Sequence, residues 1–139
     1  MIEAYKLEFY VPESHVDKVK MAVFKAGAGK VGNYDCCCWE TKGKGQFRPC
    51  EGSQPFVGTK DKIEKVEEIK VELIVPEENM DATIEALMES HPYETPSYQY
   101  WKVNAPDASE YENEEEDEDE ELEEDAEETK DSGEKAPDA

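Results

Sequence analysis

Val66-Glu67-Glu68-Ile69-Lys70-Val71-Glu72-Leu73-Ile74-Val75, closed by Pro76, is the stretch on which the fold turns. Ile69, Val71 and Leu73 alternate with Lys70 and Glu72, the two-residue period of a strand that buries one face. Pro76 has no N–H to give a ladder, so the strand ends there. Directly after it the period changes. From Glu77 to Ser90, Met80, Ile84, Leu87 and Met88 recur on one helical stripe, Asn79 lies near the start, and acids crowd the first turn, where the helix dipole favours them.

The same strand-then-helix order precedes it. Tyr5-Lys6-Leu7-Glu8-Phe9 alternates, Tyr10 and Val11 extend the strand, and Pro12 closes it. A helix follows with Val16, Val19, Met21, Val23 and Phe24 near helical spacing, Ser14 as N-cap and Asp17 completing a capping box. Gly27 and Gly29 end it. Strand formers fill Val31 to Thr41, whereas Gly43, Gly45, Pro49, Gly52, Pro55 and Gly58 mark a long exposed connection. A turn bracketed by Pro92 and Pro96 leads into a last strand, Ser97 to Val103. The order βαββαβ predicts an α+β fold, a ferredoxin-like four-stranded antiparallel sheet with both helices on one face. Two helices cannot cover Tyr5, Tyr34, Trp39, Tyr98, Tyr100 and Trp101 together. An apolar open sheet face is therefore expected, and with it a homo-oligomer.

The 139 residues carry 15 Lys+Arg against 37 Asp+Glu, a net charge of −22. The charge is uneven: residues 1–103 have net −5 and residues 104–139 net −17. The division predicts a folded domain over 1–103 and a disordered acidic tail over 104–139, since the tail has too few apolar side chains to offset the entropy of ordering. So negative a surface excludes simple binding to nucleic acid or to an anionic membrane. The tail reads first as a solubility and spacing element, and second as a docking arm for a basic protein partner. No secretory leader or membrane span is legible, which predicts a cytoplasmic or nuclear protein. Cys36, Cys37, Cys38 and Cys50 read as free thiols there. A strand at 36–38 would put Cys36 and Cys38 on one face, but the spacing is a poor match to a zinc site.

Two motifs are candidates for chemistry. Gly27-Ala28-Gly29-Lys30-Val31-Gly32 has the letters of a dinucleotide fingerprint but the wrong context, with a helix before it and a strand after. It reads first as a helix C-cap and tight turn. The alternative is an anion-binding nest for phosphate or nucleotide, with Gly29 and Gly32 supplying backbone and Lys30 the charge. His91-Pro92-Tyr93-Glu94-Thr95-Pro96 sets an imidazole, a phenol and a carboxylate in one stiff turn, and it ranks first. His91 and Glu94 are the candidate ligands of a divalent metal, and Tyr93 with Glu94 the candidates for a polar ligand. No G-x-S-x-G, H-E-x-x-H or Walker pattern occurs. The reading is a non-catalytic binding or regulatory module, with a protein-interaction module as the alternative and an enzyme third.

The strings GAGKVGNYDCCCWETKGKGQFRPCEGSQPFVG (27–58) and HPYETPSY (91–98), in that order, resemble the small YqfO-type domain. That domain occurs as an insert in larger proteins related to the yeast NGG-interacting factor and as a short stand-alone bacterial protein. The resemblance covers residues 4–103. It implies a fold similar to CutA and the PII signalling proteins, which form trimers and place ligands in clefts between subunits, and it puts Gly29, Gly32, Tyr34, Gly45, Phe47, Pro49, Gly52, Pro55, Phe56, Gly58, His91, Pro92, Tyr93, Glu94 and Pro96 at motif positions. The larger relatives carry a separate two-metal hydrolase-like domain. With only His15 and His91, this chain is not expected to share that activity.

Overall fold

A strand that must bury Leu7, Phe9 and Val11 finds its partner in the one that must bury Ile69, Val71 and Leu73. The computed structural model, which describes residues 1–106, pairs them directly: Leu7 faces Leu73, Phe9 faces Val71 and Val11 faces Ile69 in an antiparallel ladder. The elements run β1 (Ile2–Pro12), α1 (Val16–Lys25), β2 (Trp39–Phe47), β3 (Glu64–Pro76), α2 (Met80–Ser90) and β4 (Tyr98–Ala105). The sheet order is β2-β3-β1-β4, every neighbour antiparallel, which is the expected ferredoxin-like arrangement. Residues 107–139, most of the predicted acidic tail, lie outside the described residues. Among those described, no helix is long and apolar enough to cross a membrane.

One layer of helices covers one sheet face. Val19 and Val23 of α1 and Met80, Thr83 and Leu87 of α2 are buried against the odd-numbered side chains of β1 and β3. Thr83 satisfies its hydroxyl by donating to the Asn79 carbonyl at 2.7 Å. Met21, which belongs to the apolar series of α1, is 51% exposed. It stands two residues from both Val19 and Val23, about 200° around the helix, and so points away from the sheet. Met88, 45% exposed, also misses the core.

The capping box expected at Ser14 does not form. Glu13–His15 is a 3-10 turn, His15 occupies the cap position, and the Ser14 hydroxyl lies 2.8 Å from the His15 Nδ1 instead. At its far end α1 closes as the glycine predicts. The N–H of Gly27 donates to the Phe24 carbonyl and that of Ala28 to the Val23 carbonyl, both at 3.0 Å, the paired bonds of a Schellman cap with Gly27 at φ +105°.

The strand predicted over Val31 to Thr41 is displaced. Gly32 and Cys36 adopt positive φ, 56° and 55°, and fold residues 31–38 into turns with a lone Val31–Tyr34 bridge. Strand β2 starts at Trp39 and runs through Gly43 and Gly45, residues expected in the connection. As an edge strand it tolerates them. Cys36 and Cys38 consequently do not share a strand face; Cys36 is exposed and Cys38 packs half-buried beside the core.

The face without helices also departs from expectation. Trp39 and Trp101 lie on it, opposite Glu72 and Lys6, but Tyr5, Tyr98 and Tyr100 fall on the helix side, in register with Val75, Phe9 and Leu7. Charges occupy its centre: Lys70 pairs with Glu8 at 3.4 Å and Lys6 with Glu72 at 3.9 Å, and Gln99 donates to Glu8 at 2.6 Å. The centre of the expected apolar face is thus ionic, because alternation sends even-numbered residues of β1 and β3 there. Phe9→Ala should lower the unfolding free energy by about 3–5 kcal/mol in a urea titration, while Met21→Ala should change it by less than about 0.5 kcal/mol.

Candidate functional site

Pro92 keeps the residue before it out of helix, and His91 adopts φ −74°, ψ 135°, ending α2. Its ring turns under the end of β1. Nε2–H donates to the Tyr10 carbonyl at 2.7 Å and Nδ1 accepts the Tyr93 N–H at 3.1 Å, which fixes the tautomer. Burial pushes the imidazole below its usual 6.5, outweighing the bond to Tyr10 that favours the cation. With both nitrogens spent on main chain, the ring holds the turn and offers no lone pair to a metal. Among the described residues no group of three or more His, Cys, Asp and Glu is arranged around a metal position.

The next two residues project away from this anchor. The Tyr93 hydroxyl donates to Glu68 of β3 at 2.7 Å, and burial, reinforced by that bond, holds the phenol well above its ordinary value. Gly45 of β2 makes room for the Glu68 carboxylate: a Cβ there would strike Glu68 Oε1. Glu94 accepts the Gln54 N–H at 2.9 Å and so ties the turn to the connection between β2 and β3. That connection is itself closed by the Asp61 N–H donating to the Pro49 carbonyl at 2.7 Å. Phe56, carried on it, sits 6.2 Å from the Tyr93 ring, and Phe47 sits 6.3 Å from the same ring.

These segments enclose a cavity of about 450 Å³. Tyr10, Phe47, Phe56 and Tyr93 give it aromatic walls, and Glu68 and Glu94 give it carboxylates. Its volume lies in the range of small-molecule sites.

The predicted site residues divide between two places. His91, Tyr93 and Glu94 come together here. Gly29, Lys30, Gly32 and Tyr34 lie at the other end of the sheet, where Lys30 and Val31 border a smaller hollow with Ile2 and Ala4. From Ala4 to Tyr10 along β1 is about 20 Å. The glycine loop is also spent on structure. Gly29 N–H donates to the Ile74 carbonyl at 2.8 Å, Val31 N–H to the Tyr34 carbonyl at 3.0 Å, and the Gly29 carbonyl accepts from Cys37 at 2.9 Å. A cap and a strap to β3 account for these groups, and no cradle of free N–H groups forms from them.

No family model matches the chain. It is 45% identical over 99 residues to the GTP cyclohydrolase 1 type 2 homolog of Halalkalibacterium halodurans, a match spanning 71% of this chain and 27% of that protein. The Bacillus cereus protein related to NIF3 superposes with a TM-score of 0.64 at 34% identity, over 74% of this chain and 26% of the other. The chain resembles one segment of these proteins. It spans about a quarter of the length of the curated relatives it matches. CutA from Synechococcus elongatus PCC7942 superposes at TM-score 0.55 and 18% identity, over 78% of this chain and 84% of CutA, a likeness of fold alone.

Tyr10 and Glu68 are the site residues that sequence reasoning passes over. Each reads as an ordinary polar or bordering position of a strand, and only the pairing of β1 with β3 brings them beside the turn. Removing the anchor tests this account. His91→Ala should cost about 2 kcal/mol of stability near pH 8, since it strands the Tyr10 carbonyl and the Tyr93 N–H. Below pH 6.5 the unfolded ring takes up a proton that the folded ring resists, so the native chain loses this advantage as pH falls. Urea titrations at stepped pH should show the gap between the two proteins narrowing from 6.5 downward.

Proposed function

We propose that the folded residues form a homo-oligomeric, non-catalytic binding module whose ligand site is the cavity beside the His-Pro-Tyr-Glu-Thr-Pro turn. One observation carries the reading: the end of β1, the end of β2, the β2–β3 connection and the turn before β4, distant in sequence, converge on one hollow. The groups there hold rather than react. His91 is tied through both nitrogens, and the Tyr93 hydroxyl keeps its proton and donates it in a hydrogen bond to Glu68.

The name of the curated relatives points to a reaction on GTP in those whole proteins. We assign binding, and not that reaction, to the quarter shared with this chain. A triphosphate needs cationic partners, and neither Lys nor Arg lines the cavity. The CutA-like fold and the YqfO-type resemblance support assembly into trimers. So do two open sheet edges and the exposed rings of Tyr100 and Trp101, 49% and 46% accessible, on the edge strand β4. The net charge of −17 over residues 104–139 supports a second role, docking of a basic protein partner in the cytoplasm or nucleus.

Native mass spectrometry of the full chain should show a trimer, and Trp101→Glu should shift it toward monomer with the circular dichroism unchanged. A monomer for the native chain at micromolar concentration would overturn the oligomeric reading. Deleting residues 107–139 should abolish capture by a basic protein and leave subunit number unchanged.

A further inference from the structure

The walls of the cavity select its occupant. Phe47 and Phe56 both pack on Tyr93 at tilted interplanar angles, 52° and 47°, so the rings line the cavity without stacking as a slab. Tyr10 adds a fourth ring to the lining. A ring face is the negative pole of the aromatic quadrupole, and a lining of such rings attracts a cation that is too weakly hydrated to prefer water.

The carboxylates point the same way. Glu68 and Glu94 both line the cavity, and the partners they have are neutral donors, the Tyr93 hydroxyl and the Gln54 N–H. Among the described residues neither makes an ion pair with a lysine or arginine. The contrast with the rest of the sheet is local and sharp. Glu72, four residues along the same face of β3, pairs with Lys6, and Glu8 across from it pairs with Lys70. The charge lattice of the open face is thus neutralised pair by pair until it reaches the cavity, where two negative charges are left beside four aromatic rings.

We propose that this cavity binds an organic cation, an alkylammonium or guanidinium group on an apolar body. The charge would meet Glu68 and Glu94, and the body would lie among Phe47, Phe56 and Tyr93. This rests on the cavity being the module's ligand site and adds the class of ligand. Phosphate and other anions are rejected by the same two carboxylates. The cation can come from a free amine or from a lysine or arginine side chain of another protein; the recognition chemistry is shared.

The test is a titration of the full, isotope-labelled chain followed by NMR at about 0.15 M sodium chloride, which screens diffuse attraction to the acidic tail. The probes are phenethylammonium, the neutral phenethyl alcohol, a capped peptide with a single lysine, and inorganic phosphate. Phenethylammonium or the lysine peptide should shift the ring signals of Phe47, Phe56 and Tyr93 saturably, and the alcohol should bind about tenfold more weakly. Glu68→Gln keeps an acceptor for Tyr93 while removing the charge, and should weaken the cation about tenfold with the alcohol unaffected. Phe56→Ala should weaken both. Binding by the free amine alone assigns a small metabolite, and binding by the peptide alone assigns a protein side chain. Equal affinity for alcohol and ammonium, or tighter binding of phosphate, overturns the cation while leaving the cavity as a ligand site. Ring signals that no probe moves overturn both readings.

Discussion

The register between β1 and β3 is the constraint on which the molecule depends. Opposing Leu7 with Leu73 and Phe9 with Val71 puts every odd residue of both strands under the helices, and a slip of one residue would turn that whole set into solvent. The same register sets Glu8 opposite Glu72, a like-charge pair that alone would push the strands apart. Lys70 and Lys6 answer it diagonally. The open face is therefore ionic because the closed face is apolar. Tyr10 and Glu68 are carried to their places beside the turn by the same pairing, so the cavity is a consequence of the core.

Much of this was legible in the sequence, and the failures have physical causes. Strands whose alternation reports a buried face, such as Ile69-Lys70-Val71-Glu72-Leu73, could be read outright. So could the helix after Pro76, and together they gave the topology. β2 could not be read that way, because an edge strand needs no buried face. In Lys42-Gly43-Lys44-Gly45 only Gly45 makes room for a neighbour, Glu68, while Gly43 faces open space, and the strand formers upstream are broken by the positive φ of Gly32 and Cys36. Ser14 looked like a cap, but the chain tightens into a 3-10 turn before α1, and the hydroxyl turns to its histidine neighbour.

The site was half legible. Of the imidazole, phenol and carboxylate in the proline-bracketed turn, Tyr93 and Glu94 line the cavity and His91 fastens the turn behind them. His91 looked like a metal ligand from its residue type, yet burial and two backbone partners make it a fastener for the turn. Glu68 carried no sequence signal at all, being one glutamate among several on the solvent side of a strand. Its significance comes from Gly45 and Tyr93, which are remote in the chain. Gly29 shared the letters of a nucleotide site, but its N–H is committed to the Ile74 carbonyl of β3 and its carbonyl to the Cys37 N–H. The NIF3-related structure carries a segment of this fold over about a quarter of its length.

A fold made of two similar strand–helix units has a natural seam between them, and here one amide spans it. Asn79, at the head of α2, donates from Nδ2 to the Gly27 carbonyl at the tail of α1, at 3.2 Å, in a space that any side chain on Gly27 would fill. The glycine thus serves the bend and the stitch at once. Neither half can loosen its helix end here without withdrawing a bond from the other.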